Sequence, residues 1–136
     1  MAKFAATDFD ISIGGTDFSD SLAAVTLDIS RESLDTTSFG KSARTFIGGL
    51  ESSTVTFSFH QDFAADAVDS TIFAALGTIV EVVIKPQSGS VSATNPTYTF
   101  SVLVTQSVPF SSNVGDLATM DVSYPVSGDV VRAVAA

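Results

Sequence analysis

Apolar and polar residues alternate with a period of two through most of the chain, the spacing of a β-strand with one buried face. The pattern predicts a first strand over Asp8–Ile13, with Phe9, Ile11 and Ile13 on one side, before the Gly14-Gly15 turn. A second follows over Leu22–Ser30, where Val25, Leu27 and Ile29 oppose Ala24, Thr26, Asp28 and Ser30. The cleanest alternation is Ser52–His60, with Val55, Phe57 and Phe59 on its apolar side. Ile79–Lys85 is a further strand, ended by Pro86. Tyr98, Phe100, Val102 and Val104 mark one long strand, and Met120, Val122, Tyr124 and Val126 another. A last strand, Asp129–Val134, is expected after a Ser127-Gly128 turn. The period changes once: Val68, Ile72, Phe73, Ala75 and Leu76 fall on one side of a helix over about 66–76, with Asp66 and Asp69 near its positive end and Gly77 as its stop.

Two stretches break the alternation. Arg31–Gly49 is rich in Ser, Thr and charge and is long for a connection in a small domain, so it is expected to be a functional loop. Gln87–Pro96, a run of Ser, Gly and Asn, is expected to be a mobile linker. No 20–50-residue repeat is present. The fold class is therefore mostly β: a small β-sandwich or partly closed barrel with one helix and a long inter-strand loop, formed by residues 1–136 as one domain. Its size-matched apolar positions, Val25, Leu27, Val55, Phe57, Phe59, Phe100, Val102 and Val104, are the expected core. Long strand pairs in so small a domain leave edges that invite another copy.

Composition narrows the function. A 45% hydrophobic fraction and a mean hydropathy of +0.38 exclude whole-chain disorder. With 6 Lys and Arg against 15 Asp and Glu, the net charge of −9 argues against ordinary DNA binding. There is no cysteine, which excludes disulfides, thiolate metal sites and a cysteine nucleophile. Met1–Phe9 lacks the apolar run of a secretion signal, and Thr78–Ile84 is too short to span a bilayer and contains Glu81, so no membrane insertion of the subunit is expected.

Candidate chemistry is sparse. His60, the single histidine, ends a strand beside Gln61 and Asp62, and no nucleophile elbow accompanies it. Asp8, Asp10 and Ser12 alternate like calcium ligands, but the glycine is misplaced, no acid closes the loop, and a half-buried strand explains the alternation. Neither Gly14-Gly15 nor Gly48-Gly49 begins a phosphate-binding loop. No enzyme activity, cofactor or metal is expected. Charge is more informative. Arg31, Lys41 and Arg44 lie within residues 31–44, leaving that stretch at +1 and the rest at −10, so a basic projection on an acidic body suits contact between identical subunits. The polar strand faces, Thr26, Asp28, Ser30, Thr54, Thr56, Ser58, Thr99, Ser101, Thr105, Thr119, Asp121 and Ser123, contain no cation, so they repel phosphates instead of holding them.

In this order of parts the sequence resembles the major tail protein, or tail tube subunit, of long-tailed bacteriophages. The resemblance rests on Thr36-Thr37-Ser38-Phe39-Gly40 running to Arg44-Thr45-Phe46-Ile47-Gly48-Gly49-Leu50, on Ser53–Phe59, on the helix around Ile72–Leu76, and on Tyr124-Pro125-Val126-Ser127-Gly128. It implies a virion structural protein that self-assembles into stacked hexameric rings, a conduit for DNA ejection. The loop at 31–49, with Arg31, Glu32, Asp35, Phe39, Lys41, Arg44 and Phe46, would join rings or subunits. The small polar faces of Thr26, Asp28, Ser30, Thr54, Thr56, Ser58, Thr99, Ser101, Thr119, Asp121 and Ser123 would line the lumen. Implied partners are further copies of the chain and the tail terminator, tape-measure and distal tail proteins, with DNA in transit and not tightly bound. The implied location is the virion tail, assembled in the host bacterial cytoplasm. The inner tube of a contractile injection system is an alternative of the same kind, and a monomeric β-sandwich ligand-binding or adhesin module is one of a different class, disfavoured because Trp is absent and most Phe alternate inward.

Overall fold

In the computed structural model, residues 8–63, 67–87 and 89–134 are described. The leader reading of Met1–Thr7, the helix start at Asp66, and Ser88 of the linker lie outside them. The elements are β1 (Asp10–Ile13), β2 (Thr16–Asp17), a single 3-10 turn at Ser19–Ser21, β3 (Leu22–Asp35), β4 (Phe46–His60), α1 (Val68–Ala75), β5 (Ile79–Lys85), β6 (Thr97–Leu103) and β7 (Thr119–Ala133). All strand pairs are antiparallel, and they form one seven-stranded sheet in the order β2-β1-β5-β6-β7-β4-β3.

The long strand β7 turns this ribbon of strands into a fold with an interior. Its first half pairs with β4 from His60↔Thr119 to Thr54↔Pro125, and its second half pairs with β6 from Val102↔Val126 to Thr97↔Ala133. Pro125 has no N–H to give, so the ladder with β4 stops there. The expected turn at Ser127-Gly128 is instead a bulge within this one strand, with Ser101↔Ser127 followed by Thr99↔Val131. Gly128 takes a φ of 96°, which lets the extra residues bend the strand without reversing it.

The inner faces of both halves meet in one cluster: Ile11, Ile13, Val82, Phe100, Val102 and Val104 from one, Val55, Phe57, Phe59, Met120, Val122 and Tyr124 from the other. A continuous sheet whose two halves share a core must curl over it, and this one remains open, with β2 and β3 as its edges. Phe59 stacks near Phe57 at 5.5 Å and receives Phe18 edge-on at 5.9 Å, a geometry that adds to simple burial. Val25 and Leu27 of β3 are half-buried because they flank the open seam, where an apolar groove of about 300 Å³ runs between Leu27, Ile29, Ile84 and Tyr98.

Helix α1 is shorter than the periodicity predicts. Val68 and Ile72, one turn apart, are buried, whereas Phe73 and Leu76 are exposed. Phe73 lies about 100° further around the helix than Ile72, too far to share its contact in a helix of two turns. The linker read as mobile is tied down. Asn95, 4% exposed, accepts a hydrogen bond from the Gln87 N–H and donates through Nδ2 to the carbonyls of Gln87, Gly89 and Ser90. One buried amide thus satisfies the backbone of a loop whose composition alone suggests disorder.

Candidate assembly surfaces

The outer face of β3, β4 and β7 is a continuous polar wall set by register. Its cross-strand rows are Thr26–Thr56–Ser123 and Asp28–Thr54–Pro125, with Ser58–Asp121 and His60–Thr119 below and Ser30–Ser52 above. The rows are tied by hydroxyls: Ser58 donates to Asp121 Oδ1 at 2.7 Å, Thr56 to Ser123 Oγ at 3.3 Å, and Ser30 to the Ser52 carbonyl at 2.9 Å. Such ladders stiffen the sheet while leaving its surface short and smooth. The only charges in these rows are Asp28 and Asp121. Thr99 and Ser101 lie on β6, the strand that flanks β7 on its other side. They sit half-buried on the outer side of β6, in rows with Val83 and Val131 and with Glu81 and Ser127. Alternation separates the two faces of a strand but does not say which half of a curled sheet the strand enters.

The long loop is mostly a hairpin. Residues Arg31–Asp35 belong to β3 and Phe46–Gly49 to β4, paired as Arg31↔Glu51, Ser33↔Gly48, Leu34↔Ile47 and Asp35↔Phe46, which leaves only 36–45 as the connecting loop. A bulge interrupts the ladder opposite Glu32, where the chains approach so closely that a Cβ on Gly49 would lie 2.9 Å from that of Glu32. At the base, Arg31 donates to the Gly49 carbonyl at 3.1 Å and pairs with Glu51 at 3.8 Å, and Glu51 in turn accepts from the Val130 N–H of β7 at 3.2 Å. At the tip, Arg44 and Asp35 form an ion pair at 2.8 Å, and Thr36 and Thr45 bond through backbone and hydroxyls. Arg31, Glu32, Asp35, Phe39, Lys41, Arg44 and Phe46 therefore lie on one arm, with Arg31, Asp35 and Arg44 engaged within the chain. Among the described residues no hydrogen bond or ion pair holds the Lys41 side chain.

The arm has no core of its own. Leu34, Phe46, Ile47 and Leu50 are each at least 44% exposed, and Phe39 at the tip is fully so. This much apolar surface on a projecting hairpin marks an interaction site. Hydrogen bonds from Thr37, joined by the Arg44 guanidinium, hold the Asp35 carboxyl below the usual carboxylate range. Because folding lowers its pKa, this contact is complete above the ordinary carboxylate range and is lost as pH falls through the folded-state value. An NMR titration should show Asp35 ionising below the ordinary carboxylate range, with the tip amides of Thr37 and Thr45 shifting in the same acid step and the β4 core amides unmoved. An Asp35 titration in the ordinary range would show that the tip is not closed in solution.

The opposite end of β4 carries a second exposed apolar surface, which the sequence pattern did not reveal. Phe63 and Phe110 stack at 5.7 Å and an angle of 29°, both largely exposed, and Val114 and Leu117, later in the β6–β7 connection, are exposed as well. Gln61 fixes this connection, donating from Nε2 to the Pro109 carbonyl at 3.0 Å and from its backbone to that of Ala118 at 2.9 Å. His60 is exposed at the end of β4, paired in register with Thr119. Asp10 is committed to Lys85 at 3.4 Å and to the Ser19 hydroxyl at 3.3 Å. Among the described residues, no group of three or more His, Cys, Asp or Glu side chains is placed to hold a metal.

Solved structures share this fold. The chain is similar to a chain in the virion of a native gene transfer agent particle, with a TM-score of 0.73 over 96% of this chain and 98% of that one, at 17% identity. It is also similar to a chain in the tail of an empty particle of the same kind, refined with C6 symmetry: TM-score 0.60, 82% and 81% covered, 19% identity. The fold is thus one found in virion and tail chains, consistent with the resemblance drawn from the sequence. No protein-family model matches the sequence, and no curated protein is significantly similar to it.

Proposed function

We propose that this chain is a structural subunit of a phage-like tail tube, with no enzymatic role. Copies associate edge to edge into hexameric rings, rings stack through the β3–β4 arm, and the tube sits in the virion tail and conducts DNA. The observation that carries this reading is the end-to-end likeness of fold to the virion chain, with the C6 tail chain as the basis for six-fold rings. Physical features of this chain support it. The 14-residue strand β3 ends the sheet and presents a long edge, which closure into a ring would satisfy. The β3–β4–β7 wall, without a cation, is suited to face a polyanion that must slide. Terminator, tape-measure and distal tail proteins would meet the tube at its ends and interior, and assembly would take place in the host cytoplasm.

Sedimentation of the purified chain over a concentration series tests the reading. Ring-sized or larger species are expected, and a DNA fragment added at moderate salt should sediment separately from them. A monomer at every concentration, or stable co-sedimentation with DNA, would count against it. Thr56→Lys with Ser123→Lys, which places two cations side by side on the wall, is expected to introduce salt-sensitive DNA retention.

A further inference from the structure

We propose that the Phe63–Phe110 surface of one copy is the acceptor for the hairpin tip of another, so that the chain carries both halves of a head-to-tail contact. The proposal rests on the stacked-ring reading above and names the surface the tip engages. The two surfaces lie at opposite ends of β4, whose 15 residues span about 50 Å at about 3.3 Å per residue. No copy can close this contact on itself. Contact between two different surfaces at opposite ends of one subunit does not saturate in a pair and propagates along an axis, as stacking requires.

The chemistry of the two ends matches. Phe39 is fully exposed at the tip, and the tip's own hydrogen bonds keep the loop closed beneath it. On the acceptor, Phe63 and Phe110 are already stacked, a platform that a third ring extends, and Leu117, later in the same connection as Phe110, is 67% exposed. Charge agrees. Residues 36–45 contain Lys41 and Arg44 and no acid, whereas Asp116 is the single charged residue of 104–118, and 60–79 contain no Lys or Arg. Lys41 of one copy and Asp116 of the next are the pair this complementarity assigns, which would orient the docking and exclude the reversed register.

The absence of native cysteine makes the test direct. Ser38→Cys with Ser111→Cys alters two exposed side chains outside the core and next to the contact, keeps Phe39 and Phe110 in place, and an unchanged melting temperature would verify the fold. Under assembly conditions, a short thiol-to-thiol crosslinker is expected to give a ladder of covalent multimers on a denaturing gel, extending past the dimer because each copy has both groups. Tubes that form while the chains stay uncrosslinked overturn the docking assignment and leave the tube reading standing. A chain that neither assembles nor crosslinks overturns both. In the second arm, Lys41→Asp and Asp116→Lys should each raise the concentration needed for assembly several-fold, and the double variant should restore it. Single variants that assemble like the native chain, or a double variant that does not recover, would contradict the pairing.

Discussion

Phe57→Ala is expected to lower the unfolding free energy by about 3–5 kcal/mol, the range for emptying a large aromatic site in a packed core. Phe57 is fully buried, three residues from the end of β4, in register with Val25 on one side and Val122 on the other. Its ring lies 5.5 Å from that of Phe59 and 6.3 Å from that of Tyr124, so removal empties a site walled by aromatic rings. Tyr124 is fixed from its other end, donating its hydroxyl proton to the Gln106 carbonyl at 3.0 Å, and burial pushes its pKa up to about 12. The surrounding side chains are therefore poorly free to collapse into the space. Denaturant unfolding measures the loss, with Thr56→Ala, one residue away on the exposed wall, as the control expected within about 0.5 kcal/mol of the native chain. A Phe57→Ala loss no larger than that of the control would mean that the faces of β4 are reversed.

Replacing Arg31, Lys41 and Arg44 together by Glu is expected to abolish long assemblies and leave the folded core standing. Two of these cations hold the arm in shape, through Glu51 and Asp35, and reversal places like charges where ion pairs stood. The third is the free cation of the tip. None of the core residues lies between Ile29 and Leu50, so thermal unfolding of the subunit should shift little. Lys41→Glu alone separates the two effects, because it keeps both ion pairs and changes only what the tip presents. Tubes of native length from the triple variant would show that the arm does not join rings.

Much of this architecture is legible in the sequence because burial imposes a period of two. Ile79–Lys85 is read to the residue, and Val55, Phe57, Phe59, Phe100, Val102 and Val104 are core as their alternation says. Features that do not depend on burial are hidden. The outer half of the β3–β4 hairpin is held by backbone bonds and exposed on both faces, so it carries no alternation and reads as a loop. Gly128 marks a departure from regular strand geometry in either reading, and only the partner strand, paired on both sides of it, distinguishes a bulge from a turn. The anchoring of Gln87, Gly89 and Ser90 depends on one buried amide, that of Asn95, a single residue without periodicity. The exposed apolar surfaces were legible in part: the arm stands out in the sequence by its cations, whereas Phe110, Val114 and Leu117 stand apart in a polar stretch between Pro109 and Thr119 and follow no period.

The central claim is that copies of this chain close a ring with the polar wall of β3, β4 and β7 turned inward. Electron microscopy of the assembled protein, carried to a resolution that places individual strands, tests it most directly. The expected result is a hollow tube of stacked six-fold rings with Thr26, Thr56 and Ser123 facing the lumen. Solid or non-hollow assemblies, or a tube with this wall on its outer surface, would contradict it.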